Sequence, residues 1–219
     1  MLGFLVATIV PVALLRFIDP PTTAFIVARR MEGGAKGFRI QQTWVPLQKI
    51  AAVYPRALIA SEDQNFGTHW GFDPDAIEDA IEDRLEGRKR RGASTITQQV
   101  AKNLFLWQAR SWVRKGLEAW FTLLLEGLLD KRRILELHVN VAELGNGIYG
   151  VEAASRVWFG KGASELSADE AAALVAILPS PRNRRPDQPS AHAAERASWI
   201  LEQMEHLSPE VNRLVPARH

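Results

Sequence analysis

The chain has 219 residues, a formal net charge of +2 and 47% hydrophobic residues, enough for one well-buried catalytic unit or a domain with a small lobe. It contains no cysteine, which excludes a disulfide framework, a zinc finger and a thiol nucleophile. The balanced total hides a local excess of positive charge at Arg84, Arg88, Lys89, Arg90 and Arg91.

In chain order, the first element is LGFLVATIVPVALL, an uncharged apolar run from Leu2 to Leu15 closed by Arg16. Although short for a span, it reads as a transmembrane anchor over residues 1–18, in which Pro11 is tolerable because lipid-buried helices host proline. No A-x-A cleavage signal follows it. Asp19-Pro20-Pro21 stops this helix, since consecutive prolines lack N–H groups, and residues 19–45 read as a stem or linker. Asp73 before Pro74 predicts a helix start, with Ile77, Ile81 and Leu85 as its apolar stripe.

Thr95 and Gln98 have capping-box spacing ahead of Val100, Leu104 and Leu106. Leu104 to Trp107 then form an apolar cluster suited to a second membrane contact. Ser111 is placed to cap a helix whose Leu117, Trp120, Phe121, Leu124 and Leu128 follow the helical period. Ile134 to Val141 predicts another helix, ended by Gly145 and Gly147, and Val151 to Phe159 the next. Ser167 and Glu170 form a second capping-box pair before AAALVAIL, which Pro179 and Pro181 close. An amphipathic helix from about Ala193 to Leu207 completes a mainly α architecture.

Three stretches carry groups suited to chemistry. In ASEDQNFGTHWG, Glu62 and Asp63 follow the apolar run Ala57 to Ala60. A carboxylate at the end of a buried segment is partly desolvated and suited to take a proton from a hydroxyl, with Asp63 and His69 able to tune it; a plain helix cap is the alternative. In RGASTITQQVAKN, Gln98 and Lys102 share a helix face with Ser94 and Thr95 near its positive end, a face that could grip phosphate or sugar or simply face solvent. In RSWVRKGLE, Arg114 and Glu118 are i and i+4, beside Arg110 and Lys115. A surface salt bridge explains that pair; a pyrophosphate clamp with a second carboxylate explains the whole cluster.

EDQNFGTHWG, RGASTITQQVAKN, RKGLE, KRRILELHVN and LSADEAAAL occur in the order and spacing of the five signature stretches of the peptidoglycan glycosyltransferases, family 51 of the glycosyltransferases. The resemblance runs from about Phe25 to Pro186, and the short remainder is similar to the monofunctional branch of that family. It implies a lysozyme-like helical head over residues 46–219 with a smaller apolar, membrane-dipping jaw behind the N-terminal anchor. It further implies polymerisation of lipid II, on the periplasmic side of a bacterial inner membrane. Glu62 matches the family's general base and Glu118 its second essential glutamate. Lys102 and Arg110 match pyrophosphate-holding residues, joined in the cationic cluster by Arg114 and Lys115. Asp63, Phe66, His69, Ser94, Thr97, Gln98 and Gln99 complete the substrate-binding set. His138 stands where the family usually has tyrosine and is read as a packed core histidine.

No cofactor is required by this reading, although a divalent cation, magnesium or manganese, is free to assist the pyrophosphate; no ligand cluster of metal spacing is visible. Expected partners are lipid II, the growing glycan strand and the bilayer, with cell-wall synthesis or division proteins admitted and nucleic acid not. Two other functions compete. A lytic transglycosylase or muramidase needs no pyrophosphate site, and a non-catalytic glycan-binding scaffold needs neither glutamate.

Overall fold

The computed structural model describes residues 1–33, 38–86, 94–109 and 111–215, without the side chains of Arg84 and Leu85. Arg110 and the basic run Arg88 to Arg91 lie outside the described residues. The chain is mainly helical: α1 (Leu2–Leu14), α2 (Ala24–Met31), α3 (Val53–Glu62), α4 (Pro74–Leu85), α5 (Ile96–Phe105), α6 (Trp112–Leu128), α7 (Lys131–Val141), α8 (Val151–Phe159), α9 (Ala168–Ala176), α10 (Ala191–Glu205) and α11 (Pro209–Leu214). A small sheet with order β1-β3-β2 is built from β1 (Gln41–Gln42), β2 (Glu143–Gly145) and β3 (Ile148–Tyr149).

Helix α3 lies in the core because Ala57, Leu58, Ile59 and Ala60 are all 0% exposed, too apolar all round to tolerate a wet face. It packs against α9 and α10, while α5 packs against α6 and α7. The expected caps form. Thr95 and Gln98 close a full capping box on α5, Ser167 and Glu170 another on α9, and Ser111 accepts from the Arg114 N–H at the start of α6.

The described parts of residues 19–45, 19–33 and 38–45, pack onto this body. Thr23 caps α2, Ile26 is buried, and α2 packs on α5. Strand β1 pairs in parallel with β3, and the Asn140 side chain holds Val45 from both sides, its Oδ1 accepting from the N–H and its Nδ2 donating to the carbonyl, each at 2.9 Å. Below this contact the chain turns at Gly150, whose φ of +79° and 2.7 Å approach of a built Cβ to the Asn140 carbonyl leave room only for glycine.

Among the described residues no helix is long and apolar enough to cross a membrane. Helix α1 has 13 residues, roughly 20 Å at the helical rise against about 30 Å of hydrocarbon. One face of it packs on the body: Val12 is 0% exposed, and the Phe4 ring sits 6.0 Å from Trp120. Its end is tied down by Arg133, whose guanidinium donates to the carbonyls of Leu15 at 2.7 Å and Ile18 at 3.1 Å and pairs with Asp19 at 2.8 Å. The other face, with Leu2, Val6, Val10 and Leu14, is exposed.

Two expected apolar surfaces come out differently. In the α4 stripe Ile77 and Ile81 are exposed, and the Leu85 side chain lies outside the described residues. The Leu104 to Trp107 cluster largely faces inward. Leu104 and Leu106 join the core and Phe105 stacks on Phe121 with ring centroids 4.3 Å apart, so only Trp107 is left exposed. The helical period of α5 sets this, because it aims Val100 and Leu104 at the same packed face.

Candidate active site

Glu62 is the last residue of α3, held at the surface end of a segment whose preceding turn is locked in the core. Its Oε2 accepts from Gln99 Nε2 at 3.0 Å, and its Oε1 accepts from the Ser61 hydroxyl and from Arg196 Nη2, each at 3.2 Å. Arg196 reaches it from α10 and also donates to the Ser61 hydroxyl at 2.9 Å. Tyr54, fully buried one face below, has its phenol pushed up by burial first and by the Glu62 charge second.

Asp63 faces inward. Its Oδ2 accepts the Ile96 N–H at 2.9 Å, an added cap on α5, and its Oδ1 lies 2.7 Å from His69 Nε2. His69 Nδ1 accepts the Gly71 N–H at 3.1 Å, so the ring proton sits on Nε2 and points at Asp63. Gly71 has a φ of +78°, and a Cβ there would stand 2.6 Å from the Thr122 methyl. Asp63, His69 and Asp73 have metal-ligand spacing among the described residues. Every ligand atom of that trio is already engaged: Asp73 Oδ1 accepts from the Ala76 N–H and its Oδ2 from Asn65. The trio is therefore a hydrogen-bonded knot that joins the α3 end to the α5 start.

Phe66 and Thr97 are 0% exposed and form the wall behind the site. Lys131 Nζ stands 4.6 Å from the Phe66 ring centroid and pairs with Glu126 at 2.7 Å; Thr97 Oγ1 donates to the same carboxylate at 2.6 Å. Gln98 is buried too, its oxygen returned to the Thr95 N–H at 3.1 Å. Ser94 is exposed just before α5.

The second carboxylate has a different setting. Glu118 is buried on α6, pairs with Arg114 Nη1 at 2.6 Å, and accepts from Lys115 Nζ on its other oxygen. Lys102 on α5 lies within the field of both glutamates and of Arg114 and Lys115. Burial draws its ammonium below the ordinary lysine value, opposed mainly by Glu118. Among the described residues Lys102 enters no ion pair; its near neighbour is the Phe25 ring of α2, with Nζ 5.8 Å from the centroid.

The structure thus brings Glu62, Gln99, Lys102, Glu118, Arg114 and Lys115 to one region between α3, α5 and α6. It turns Asp63, Phe66, His69, Thr97 and Gln98 to the support of that region. Two neighbours of Glu62 carry no sequence signal. Arg196 lies 134 positions away on a helix whose sequence pattern shows only an apolar face, and Ser61 is overshadowed by the acids after it.

Comparison with known proteins shows the family. A family model described as Transglycosylase matches residues 31–205. The chain is similar to the biosynthetic peptidoglycan transglycosylase of Shewanella amazonensis, at 53% identity over 94% of this chain and 84% of that protein. It is also similar to the protein of that name from Xanthomonas campestris pv. campestris, at 50% identity over 93% and 84% of the two chains, and to that of Pseudomonas entomophila, at 49% over 94% and 89%. With a family match across most of its length and relatives at this identity, the chain belongs to the transglycosylase family that includes the biosynthetic peptidoglycan transglycosylases.

Proposed function

We propose that the chain polymerises lipid II into the glycan strands of peptidoglycan, by inverting transfer from undecaprenyl pyrophosphate to the 4-hydroxyl of the acceptor N-acetylglucosamine. Membership of the family makes it a glycan-polymerising enzyme of the cell envelope. In the finer reading Glu62 takes the acceptor hydroxyl's proton as that oxygen attacks the anomeric carbon of the donor. Pyrophosphate is a good leaving group, so the rest of the task is charge neutralisation. Lys102, Arg110, Arg114 and Lys115 supply it, with Glu118 keeping Arg114 and Lys115 in position. Ser94 and Gln99 face the donor sugar, and a divalent cation adds to the neutralisation where one is bound.

The observation that carries this reading is Lys102. A half-buried ammonium beside two further cations is costly unless an anion joins it; Glu118, the stronger of the two carboxylates acting on it, is already bound to Arg114 and Lys115, and Glu62 acts on it more weakly. A pyrophosphate fits that surplus of positive charge. A muramidase has no use for it.

The exposed apolar face of α1, together with exposed Trp112 and Val113 at the start of α6, suits contact with a bilayer. Membership of an envelope-enzyme family extends the reading to an inner-membrane protein, single-pass, with the catalytic region on the periplasmic side, while the packed α1 itself fits contact with the bilayer surface. Incubation with labelled lipid II, followed by a gel that separates glycan chains, tests the function. A ladder of polymer is expected. Cleavage of finished peptidoglycan with no polymer from lipid II would overturn the reading in favour of a lytic enzyme.

A further inference from the structure

His138 sits on α7, 0% exposed, with its Nε2 3.0 Å from Gln99 Oε1, while the other end of that amide reaches Glu62 at 3.0 Å. An ionised carboxylate only accepts hydrogen bonds, so the Gln99 atom facing Glu62 is the amide nitrogen. The amide oxygen then faces His138 and needs a donor there. The imidazole proton is accordingly on Nε2, and Nδ1 is a bare buried nitrogen with no partner among the described residues.

We infer that His138 is a positioning residue for the transfer reaction: its Nε2–H fixes which way the Gln99 amide points, and the amide fixes the Glu62 carboxylate. Without that donor the Gln99 oxygen is left unpaired beside a buried wall, and the amide, held only at its nitrogen end, can swing away from the carboxylate. With it, Gln99, Ser61 and Arg196 occupy three acceptor sites of Glu62. Roughly one of its four lone-pair sites then remains, aimed in one direction, for the acceptor hydroxyl's proton. Burial first, and the Lys102 charge second, hold the ring neutral down to about 3, so the donor stays the same across any working pH.

The inference rests on Glu62 acting as the base, and its test separates the two ideas. The full chain in detergent is assayed on labelled lipid II for kcat and KM as parent, Glu62→Gln, His138→Leu, His138→Gln, Gln99→Leu and the His138→Leu/Gln99→Leu double variant. His138→Leu should lower kcat by about tenfold, the scale of one hydrogen bond in a charged chain, with KM little changed. His138→Gln, which restores a donor, should recover most of that loss. The double variant should be no slower than Gln99→Leu alone, because both changes break one chain of contacts. Nitrogen NMR of the parent, which needs no variant to fold, should show the Nε2–H tautomer of His138. Losses that multiply in the double variant, or an Nδ1–H tautomer or imidazolium in the parent, would overturn the inference alone. A parent that makes no polymer, or a Glu62→Gln chain as fast as the parent, would overturn the functional reading and the inference with it.

Discussion

Glu62 ends α3 among two neutral donors and a guanidinium at 3.2 Å, whereas Glu118 is buried against Arg114 and Lys115 of its own helix. Glu62 is 17% exposed at the side chain and Glu118 4%, so one can meet a substrate hydroxyl while the other meets chiefly its own cations. Buried charges of opposite sign fix one another in place at a cost in desolvation. In the proposed reading this difference in setting separates two identical side chains into a proton acceptor and an organiser of positive charge.

The sharpest break is Glu62→Gln, which keeps the shape and removes the basic oxygen. Turnover of lipid II should fall by about 10² to 10⁴, with a melting temperature close to the parent's. A large drop in melting temperature would instead make Glu62 a structural cap. Phe66→Ala removes a fully buried ring from the wall behind Glu62 and the partner of the Lys131 ammonium. Denaturant unfolding should show a loss of about 3–5 kcal/mol, with reduced activity through misplacement of the α3 end.

On the Glu118 side, Lys102→Ala should slow polymerisation by about 10- to 100-fold, the scale of one charge-assisted contact to an anion. Lys49→Ala, outside every site element, should have little effect. Equal losses at both positions would mean that only general surface charge is being measured. A further test concerns acid stability. Burial lowers the His138 value from 6.5 to about 3, so the unfolded chain binds a proton that the folded chain refuses between those values. The His138 contribution is thus fully present above 6.5 and is lost progressively as the pH falls towards 3. His138→Gln should therefore show a shallower fall in melting temperature from pH 7 to pH 4 than the parent.

Features set by neighbours three or four positions apart were legible in the sequence. The Thr95, Ser111 and Ser167 caps form as their spacing predicts, and α8 runs from Val151 to Phe159 as expected. The sheet was not legible, because strands of two and three residues are too short to show an alternation. Nor did periodicity tell which way α4 faces; an apolar stripe predicts a buried face, and Ile77 and Ile81 are exposed. At the site, residue identities came through but the wiring did not. Gln99 meets Glu62 across 37 positions and Arg196 meets it across 134, distances over which no local pattern operates.

The reach of Arg196 sets where this catalytic unit can be cut. The recognisable signature stretches finish by Pro186, which invites a truncated fragment ending there. Such a fragment would lack α10, and with it the guanidinium on the Glu62 and Ser61 oxygens and the Ile200 and Ala193 side chains that seal α3 and α9. Its failure would be easy to misread as loss of a partner or of a membrane contact. A minimal fragment therefore has to carry the chain through Glu205, and a fusion joined upstream of that point would rebuild one wall of the site along with the terminus.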